Sequence, residues 1–270
     1  MKNNSQKLKI SRIEAQKRPG RYNVYINNEY AFPISEEVLI KYMIFKGSEF
    51  TSAEIEQIKA ADNLSKLYGK AVDFISYRQR TQFEVEKKLK DLTDDEIMIA
   101  NVIERLIKID LINDKNYAKN YIRQVADGKN KGPGAATRYL QQKGVAEAVI
   151  NDALKQYYSK TKVVQNAQQI AQKLFDHYNR YPYNKRIEKV KLTMMRKGFS
   201  FDDIDQVLDL IDKTIDENQQ NLILKKTCAK VWKKYHAIDS YQRRQKVKQA
   251  LYRKGFDLDD IDQFLDDLEG

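Results

Sequence analysis

Apolar residues recur along most of this chain at intervals of three and four, which places them on one face of an α-helix. The clearest series follow three of the chain's Lys-Gly pairs, Lys143-Gly144, Lys197-Gly198 and Lys254-Gly255, each of which stands in a repeated six-residue sequence. Counted from each glycine, the sixth, tenth and thirteenth residues are apolar: Ile150, Leu154 and Tyr157; Ile204, Leu208 and Ile211; Ile261, Leu265 and Leu268. Because glycine adopts the left-handed backbone conformation without steric cost, each Lys-Gly pair predicts the end of one helix before the next begins.

The repeated series predicts a mainly α-helical protein made of tandem three-helix bundles. The last two copies align without a gap at an offset of 57 residues, as in Arg186 with Arg243 and Phe199 with Phe256. A gapless match of that length indicates duplication of a whole unit. We predict an elongated, curved array with an N-terminal extension over 1–62 and repeats 1 to 4 over 63–110, 111–160, 161–217 and 218–270. Repeat 1 has no Lys-Gly pair and is the divergent copy.

The N-terminal extension has a different pattern. Residues 8–34 contain β-rich runs from Tyr22 to Ile26 and from Tyr30 to Phe32, joined by Asn27-Asn28. Asn pairs favour the tight turn of a β-hairpin. A further run before Pro19-Gly20 predicts a third strand, so that the extension forms a small three-stranded sheet. A short helix is expected after Ser35.

Three Thr-x-x-Glu sequences have the spacing of a capping box, in which a hydroxyl accepts from an early amide and a carboxylate reaches back. They are Thr51 to Glu54, Thr81 to Glu84 and Thr93 to Glu96. Each predicts the start of a helix.

Composition narrows the kind of partner. Charged residues make up 32% of the 270 residues and the formal net charge is +11, which favours an anionic or acidic partner. The single cysteine, Cys228, excludes an intramolecular disulfide and fits a reducing compartment. No stretch approaches the roughly 20 apolar residues that cross a bilayer, and the N-terminus lacks the apolar core of a secretory signal. We therefore expect a cytoplasmic protein without a membrane partner.

Charge is segregated within repeats 3 and 4. The predicted second helix is basic and the third is acidic: Lys185, Arg186, Lys189, Lys191, Arg196 and Lys197 precede Asp202, Asp203, Asp205, Asp209 and Asp212. Repeat 4 has the same order: Arg243, Arg244, Lys246, Lys248, Arg253 and Lys254 precede Asp257, Asp259, Asp260, Asp262 and Asp266. Two interpretations stay open. The charges complement helix dipoles and solvate the helices, or the bases form a ridge that meets phosphates or an acidic protein surface.

No residue pattern points to catalysis, a cofactor or a metal. The glycines around Lys129 lack the Ser or Thr that follows the lysine in a nucleotide P-loop, so a glycine-rich helix entry is favoured there. His177 and His236 lack partners at metal-ligand spacing, and no serine has a histidine and acid to activate it. The numerous tyrosines fit the edges of helical cores, with base stacking as the alternative.

The order of motifs in residues 66–158 resembles the RecX family of regulators of the RecA recombinase, in its longer Gram-positive form. The resemblance rests on four segments, Ala71–Leu89, Val102–Leu106, Leu111–Tyr121 and Gly132–Gly144, whose order and spacing are together characteristic. Asn113, Thr81 and Val85 depart mildly from the family's usual residues.

The resemblance implies a non-enzymatic protein that lies in the groove of the RecA filament on single-stranded DNA and modulates recombination, DNA repair and the SOS response. We expect a monomer that needs no cofactor. The expected contacts are bases of repeats 1 and 2 (Arg78, Arg80, Lys88, Arg105, Arg123, Arg138 and Lys143) and of repeats 3 and 4 (Arg186, Lys189, Arg196, Lys197, Arg243, Lys246, Arg253 and Lys254).

Two other hypotheses remain. The repeats could act as helix-turn-helix-like readers that bind DNA directly, or the chain could be a purely protein-binding scaffold, which needs RecA without DNA. Direct DNA binding, even if weak, should need no RecA and should weaken steeply as salt rises.

Overall fold

A computed structural model describes residues 7–214 and 216–269, the last three of these by backbone alone. The strands are β1 (Leu8–Ala15), β2 (Arg21–Ile26), β3 (Glu29–Ser35) and β4 (Glu49–Phe50). The helices are α1 (Glu36–Lys41), α2 (Ser52–Ser76), α3 (Gln82–Lys90), α4 (Glu96–Lys108), α5 (Asp114–Gly128), α6 (Pro133–Gln142), α7 (Glu147–Tyr157), α8 (Lys160–His177), α9 (Tyr183–Arg196), α10 (Phe201–Leu208), α11 (Glu217–Lys234), α12 (Ser240–Arg253) and α13 (Leu258–Glu269). The predicted fold class, mainly α with a small N-terminal sheet, is confirmed.

The sheet is antiparallel, in the order β3-β2-β1-β4. Asn27 and Asn28 both have positive φ, as a tight hairpin turn between β2 and β3 requires. The sheet has one strand more than the three predicted. β4 is only two residues long and pairs with Leu8 and Lys9, and so short a run leaves no alternation to detect.

Helix α2 fastens the sheet to the helical part of the chain. Its 25 residues run without interruption across position 62, the predicted end of the extension. Asp62 lies on the buried side of α2 and accepts hydrogen bonds from both terminal nitrogens of Arg21 at 2.7 and 3.1 Å and from the Ser35 amide at 2.8 Å. One carboxylate therefore joins α2 to two strands.

The capping boxes at Thr51 and Thr81 are confirmed at the starts of α2 and α3. The third prediction, at Thr93, is wrong. Asp95 caps α4 by accepting from the Met98 amide at 2.9 Å, while the Thr93 hydroxyl accepts from the Asp95 amide at 3.2 Å. Asp95 directly precedes the first helical residue, and its charged carboxylate is a stronger hydrogen-bond acceptor than a hydroxyl, so it takes the capping position.

The chain divides into two compact units. One comprises the described residues up to Tyr117 together with Lys143–Val145, and the other comprises Ala118–Gln142 and the described residues from Ala146 onward. In the first unit, the C-terminal part of α2 packs with α3 and α4 around Leu67, Val85 and Leu106. In the second, α8 packs with α9 and α10, and α11–α13 enclose a core of their own.

The three Lys-Gly pairs end α6, α9 and α12, as predicted. Gly144, Gly198 and Gly255 have φ angles of +74°, +89° and +93°. Over the part of the chain that the structure describes, no helix has the length and apolar character needed to cross a membrane.

Candidate partner-binding surface

Each Lys-Gly turn packs against the start of another helix. In the first compact unit, the Thr81 hydroxyl at the start of α3 donates to the Lys143 carbonyl at 2.7 Å. The Phe83 side chain occupies the space that a Cβ on Gly144 would need. A glycine is therefore required at 144 both by its positive φ and by its close contact with α3.

The next turn repeats this contact inside the second compact unit. The amides of Gly132 and Gly134, at the start of α6, donate to the carbonyls of Lys197 and Gly198 at 2.8 and 3.0 Å. Ala135 occupies the space of a Cβ on Gly198. The glycine-rich entry to α6 is thus a docking seat for the turn, and these two amides are already engaged.

The third turn is placed in the same way. A Cβ on Gly255 would lie 2.9 Å from both the amide nitrogen and the Cβ of Lys185, in the first turn of α9. In all three cases, the turn of one repeat docks on the second helix of the preceding repeat. This explains the missing Lys-Gly pair in repeat 1, which has no preceding three-helix repeat to dock on. The sequence showed the glycines but not their partners.

Three of the predicted contacts in repeat 1 and the first Lys-Gly turn converge on one carboxylate. Glu84 accepts from Lys143 at 2.7 Å and from Arg78 at 2.9 Å, and Arg80 lies 3.9 Å away. Burial by itself would raise the pKa of Glu84, but the hydrogen bonds from Lys143, the Thr81 amide and Arg78 outweigh it and lower the pKa. These bases help to hold the turn on α3.

A second group of predicted contacts consists of arginines that stack on aromatic rings. The guanidinium carbons of Arg80, Arg186 and Arg243 lie 4.0, 3.4 and 4.2 Å from the ring centres of Phe74, Phe175 and Trp232. Each arginine also donates from Nε to the backbone carbonyl of the same aromatic residue. The arginine thereby joins the end of one helix to the start of the next.

The prediction that Arg186 contacts a partner is therefore corrected. Its side chain is 6% exposed and lies against Phe175 in the core. Burial lowers the pKa of Arg186, although nearby Asp176 opposes that effect. Arg243, its equivalent in repeat 4, is half-buried. Both positions read as surface bases in the sequence because their aromatic partners lie 11 residues earlier, on another helix.

Part of the basic ridge is paired with the acidic helix beside it. Lys191 meets Asp205 at 2.8 Å, and the equivalent Lys248 meets Asp262 at 2.5 Å. Lys189 and Lys246, two residues earlier in each helix, lie 4.3 and 6.0 Å from the ring centres of Tyr181 and Tyr235. Some of the segregated charges therefore pair with each other within a repeat, an arrangement that neither open interpretation included.

The remaining predicted bases fall into two classes. Some have a partner within the chain: Lys88 with Asp91, Arg105 with Glu37 and Tyr68, Arg123 with Tyr157, and Lys197 with Asn130. The others are exposed and form no ion pair with a described residue: Arg138, Arg196, Arg253 and Lys254. Arg196 and Arg253 occupy equivalent positions, one residue before the lysine of a Lys-Gly turn.

Other candidate groups have ordinary structural environments. Among the described residues, no three His, Cys, Asp or Glu side chains are grouped as a metal site would require. Tyr121 and Tyr139 stack on each other with ring centres 4.2 Å apart, so these two tyrosines form a mutual contact. Cys228 is fully buried in the core of α11–α13, and burial raises the pKa of its thiol.

Family models match most of the chain. The RecX N-terminal domain matches residues 8–51, and the first and second RecX three-helix domains match 68–106 and 113–154. The third RecX three-helix domain matches twice, at 162–208 and 223–265. This double match agrees with the duplication seen at the 57-residue offset.

Curated relatives are similar over nearly their full length. The regulatory protein RecX of Limosilactobacillus reuteri (strain DSM 20016) is 40% identical over 258 residues, covering 96% of this chain and 97% of the relative. The regulatory protein RecX of Bacillus subtilis (strain 168) is 33% identical over 261 residues, covering 96% of this chain and 98% of the relative.

Solved structures show the same kinship. A crystal structure of regulatory protein RecX is 39% identical, with a TM-score of 0.66, and covers 75% of this chain and 99% of its own. The crystal structure of RecX from Lactobacillus salivarius is 38% identical, with a TM-score of 0.52, and covers 55% of this chain and 96% of its own.

Proposed function

Because the chain belongs to the RecX family of regulatory proteins, we propose that it is a non-enzymatic regulator of the RecA recombinase. In this proposal it binds the RecA filament on single-stranded DNA in the cytoplasm, lies in the filament groove, and modulates recombination, DNA repair and the SOS response. Successive repeats contact successive parts of the filament, so that affinity comes from several modest contacts instead of one deep pocket.

The observation that carries this proposal is the recurrence of exposed, unpaired bases at equivalent positions. Arg196 and Arg253 stand at the C-terminal ends of α9 and α12, and neither forms an ion pair with a described residue. Other bases of the same helices, such as Arg186 and Lys191, pack on a ring or pair with an acid, whereas these two have no such contact with a described residue. Their repetition at one offset fits a partner that is itself repetitive and carries negative charge.

The charges of the third helices argue against the alternative of a helix-turn-helix-like DNA reader. In that mode the second helix of the motif enters the major groove and meets phosphates on both sides. In repeat 3 the corresponding helix, α10, contains Asp202, Asp203 and Asp205 and no base. Helix α13 is likewise acidic without a base. Helices of this charge would be repelled by DNA.

The direct test adds the protein to RecA on single-stranded DNA and follows ATP hydrolysis and filament length by electron microscopy. We expect both to change in proportion to the protein added. No change at any ratio would contradict the proposal. A parallel titration of labelled DNA without RecA tests the alternative, which requires tight binding by the protein alone that weakens steeply with salt.

The exposed bases are tested by the double variant Arg196→Glu with Arg253→Glu. We expect about tenfold weaker binding to the filament, which corresponds to about 1.4 kcal/mol. The matched control is Lys225→Glu with Lys226→Glu, which makes the same change of net charge at exposed positions of α11. Equal loss in both variants would mean that net charge matters and the position does not.

A further inference from the structure

An open groove runs between α3 and α4 in the first compact unit, with a volume of about 530 Å³. Its floor is apolar: Ile103 is buried, whereas Ile107 remains 44% exposed. Ile103 belongs to the core that α4 shares with α2 and α3, and the exposed Ala100 and Ile107 continue this apolar face of α4 to the surface. An open groove with an apolar floor and polar rims is the kind of surface that receives a helix of a partner.

The rims of the groove are acidic. Glu86 comes from α3, and Glu96 and Glu104 come from α4. Lys90, the one base among the lining residues, forms an ion pair with Glu86 at 3.0 Å. Glu96 and Glu104 form no ion pair with any described residue. The groove thus carries a net negative charge on a chain whose formal net charge is +11.

These properties select the occupant. Nucleic acid is disfavoured as the occupant. Its phosphates would be repelled by the rim carboxylates, and its nucleobases would find no hydrogen-bond partner on an apolar floor. A second copy of this chain is also disfavoured. Its basic helices α9 and α12 already bury their apolar faces, at Val190 and Met194 and at Val247 and Leu251.

We propose that the α3–α4 groove binds a basic amphipathic helix of a protein partner. The apolar side of that helix would lie on Ala100 and Ile107, and its lysines or arginines would face Glu96 and Glu104. This is the helix-in-groove mode of recognition, in which apolar anchors recur at intervals of three and four. The 13 residues of α4 span about 20 Å, enough for three to four turns of the bound helix. The proposal does not depend on RecA.

The probe is a fluorescein-labelled 14-residue helical peptide of leucine and lysine, with leucines spaced by three and four, measured by fluorescence polarisation on the full chain. A scrambled peptide of the same composition removes the apolar stripe. A second peptide carries glutamate in place of every lysine. We expect the basic helix to bind the native protein at least tenfold more tightly than either comparison peptide.

The decisive variant is Glu96→Lys with Glu104→Lys, with circular dichroism as the check on folding. We expect this variant to bind the basic helix at least tenfold more weakly than the native protein does. It should bind the glutamate peptide instead, because the rim of the groove then carries positive charge. The matched control, Glu29→Lys with Glu49→Lys, reverses two exposed carboxylates of the same compact unit and should bind the basic helix as the native protein does.

Three results would overturn the proposal: no binding of the basic helix, equal binding by the groove variant and the native protein, or equal loss in the control. Analytical ultracentrifugation of the native protein and of the Ile107→Glu variant tests whether a second copy of this chain occupies the groove, because it gives the oligomeric state of each. If the native protein is a dimer and the Ile107→Glu variant is a monomer, the groove binds a second copy of this chain and the proposed partner is wrong.

Discussion

At the scale of single residues, the glycines of the Lys-Gly turns are under two constraints that can be separated. Gly198 has positive φ and is in close contact with Ala135, whereas Gly47 has a φ of +98° with no atom within 4 Å of an added Cβ. An alanine at 47 therefore lowers the stability only by the cost of placing a Cβ at a positive φ, about 1–2 kcal/mol. An alanine at 198 must also displace the start of α6.

We predict that Gly198→Ala lowers the stability of the second compact unit by about 3 kcal/mol, the sum of the strain and of overpacking. Thermal unfolding followed by circular dichroism gives the comparison, with Gly47→Ala as the control for strain alone. Equal effects of the two substitutions would show that the docking of the turn contributes nothing to stability.

The loss of stability at low pH can also be assigned to single carboxyl groups. The pKa values of Asp62, Glu84 and Asp203 are lowered: burial raises each of them, and hydrogen bonds from nearby bases and amides more than offset it. A carboxyl group with a lowered folded-state pKa contributes stability above its unfolded value, near 4, and that stability is lost as the pH falls through the folded value.

We therefore predict that Glu84→Gln costs about 2 kcal/mol at pH 7, because it removes the charge that Lys143 and Arg78 face. The difference from the native protein should shrink as the pH is lowered from 5 to 3, since the native carboxylate becomes protonated as well. Melting temperatures across that range give the measurement. A difference that stays constant with pH would mean that the ionised form is not what stabilises the turn.

At the scale of helices, the sequence predicted the elements well and their contacts poorly. Periodicity gave the helices, and the Lys-Gly pairs gave three of their ends, because both are local properties of the chain. The role of Arg186 was not predictable. Its contact with Phe175 joins two helices, and a run of bases looks the same whether one member turns inward or all face solvent. The docking of Gly144 on Phe83 was hidden for the same reason, across a sequence separation of about 60 residues.

The stacked arginine gives a prediction for the helix pair α8 and α9. We expect Arg186→Ala to destabilise the protein by about 3 kcal/mol, since it leaves the Phe175 carbonyl unpaired and a cavity beside the ring. Arg196→Ala on the exposed end of the same helix should stay within about 0.5 kcal/mol. Urea unfolding of both variants makes the comparison, and similar costs would contradict the assignment of one arginine to packing and the other to binding.

At the scale of the whole molecule, the question is what the fourth repeat adds. Its core cluster, around Leu224, Val247 and Leu265, consists of residues of repeat 4, so removing it takes no residue from the core of another repeat. It carries Arg253 and Lys254, which are exposed and form no ion pair with a described residue. If several repeats engage one filament, removal of a repeat lowers affinity through the lost linkage as well as the lost contacts.

We predict that a chain ending at Thr214 keeps the helical content expected for the remaining repeats and binds the RecA filament at least tenfold more weakly than the full chain. The full-length variant Arg253→Glu with Lys254→Glu separates the two causes, because it reverses the contacts and leaves the repeat in place. If the truncated and charge-reversed chains lose the same affinity, those two bases account for the contribution of repeat 4. If only truncation weakens binding, another face of α11–α13 makes the contact. If truncation changes nothing, the fourth repeat lies outside the interface, and the argument from repeated, exposed bases fails with it.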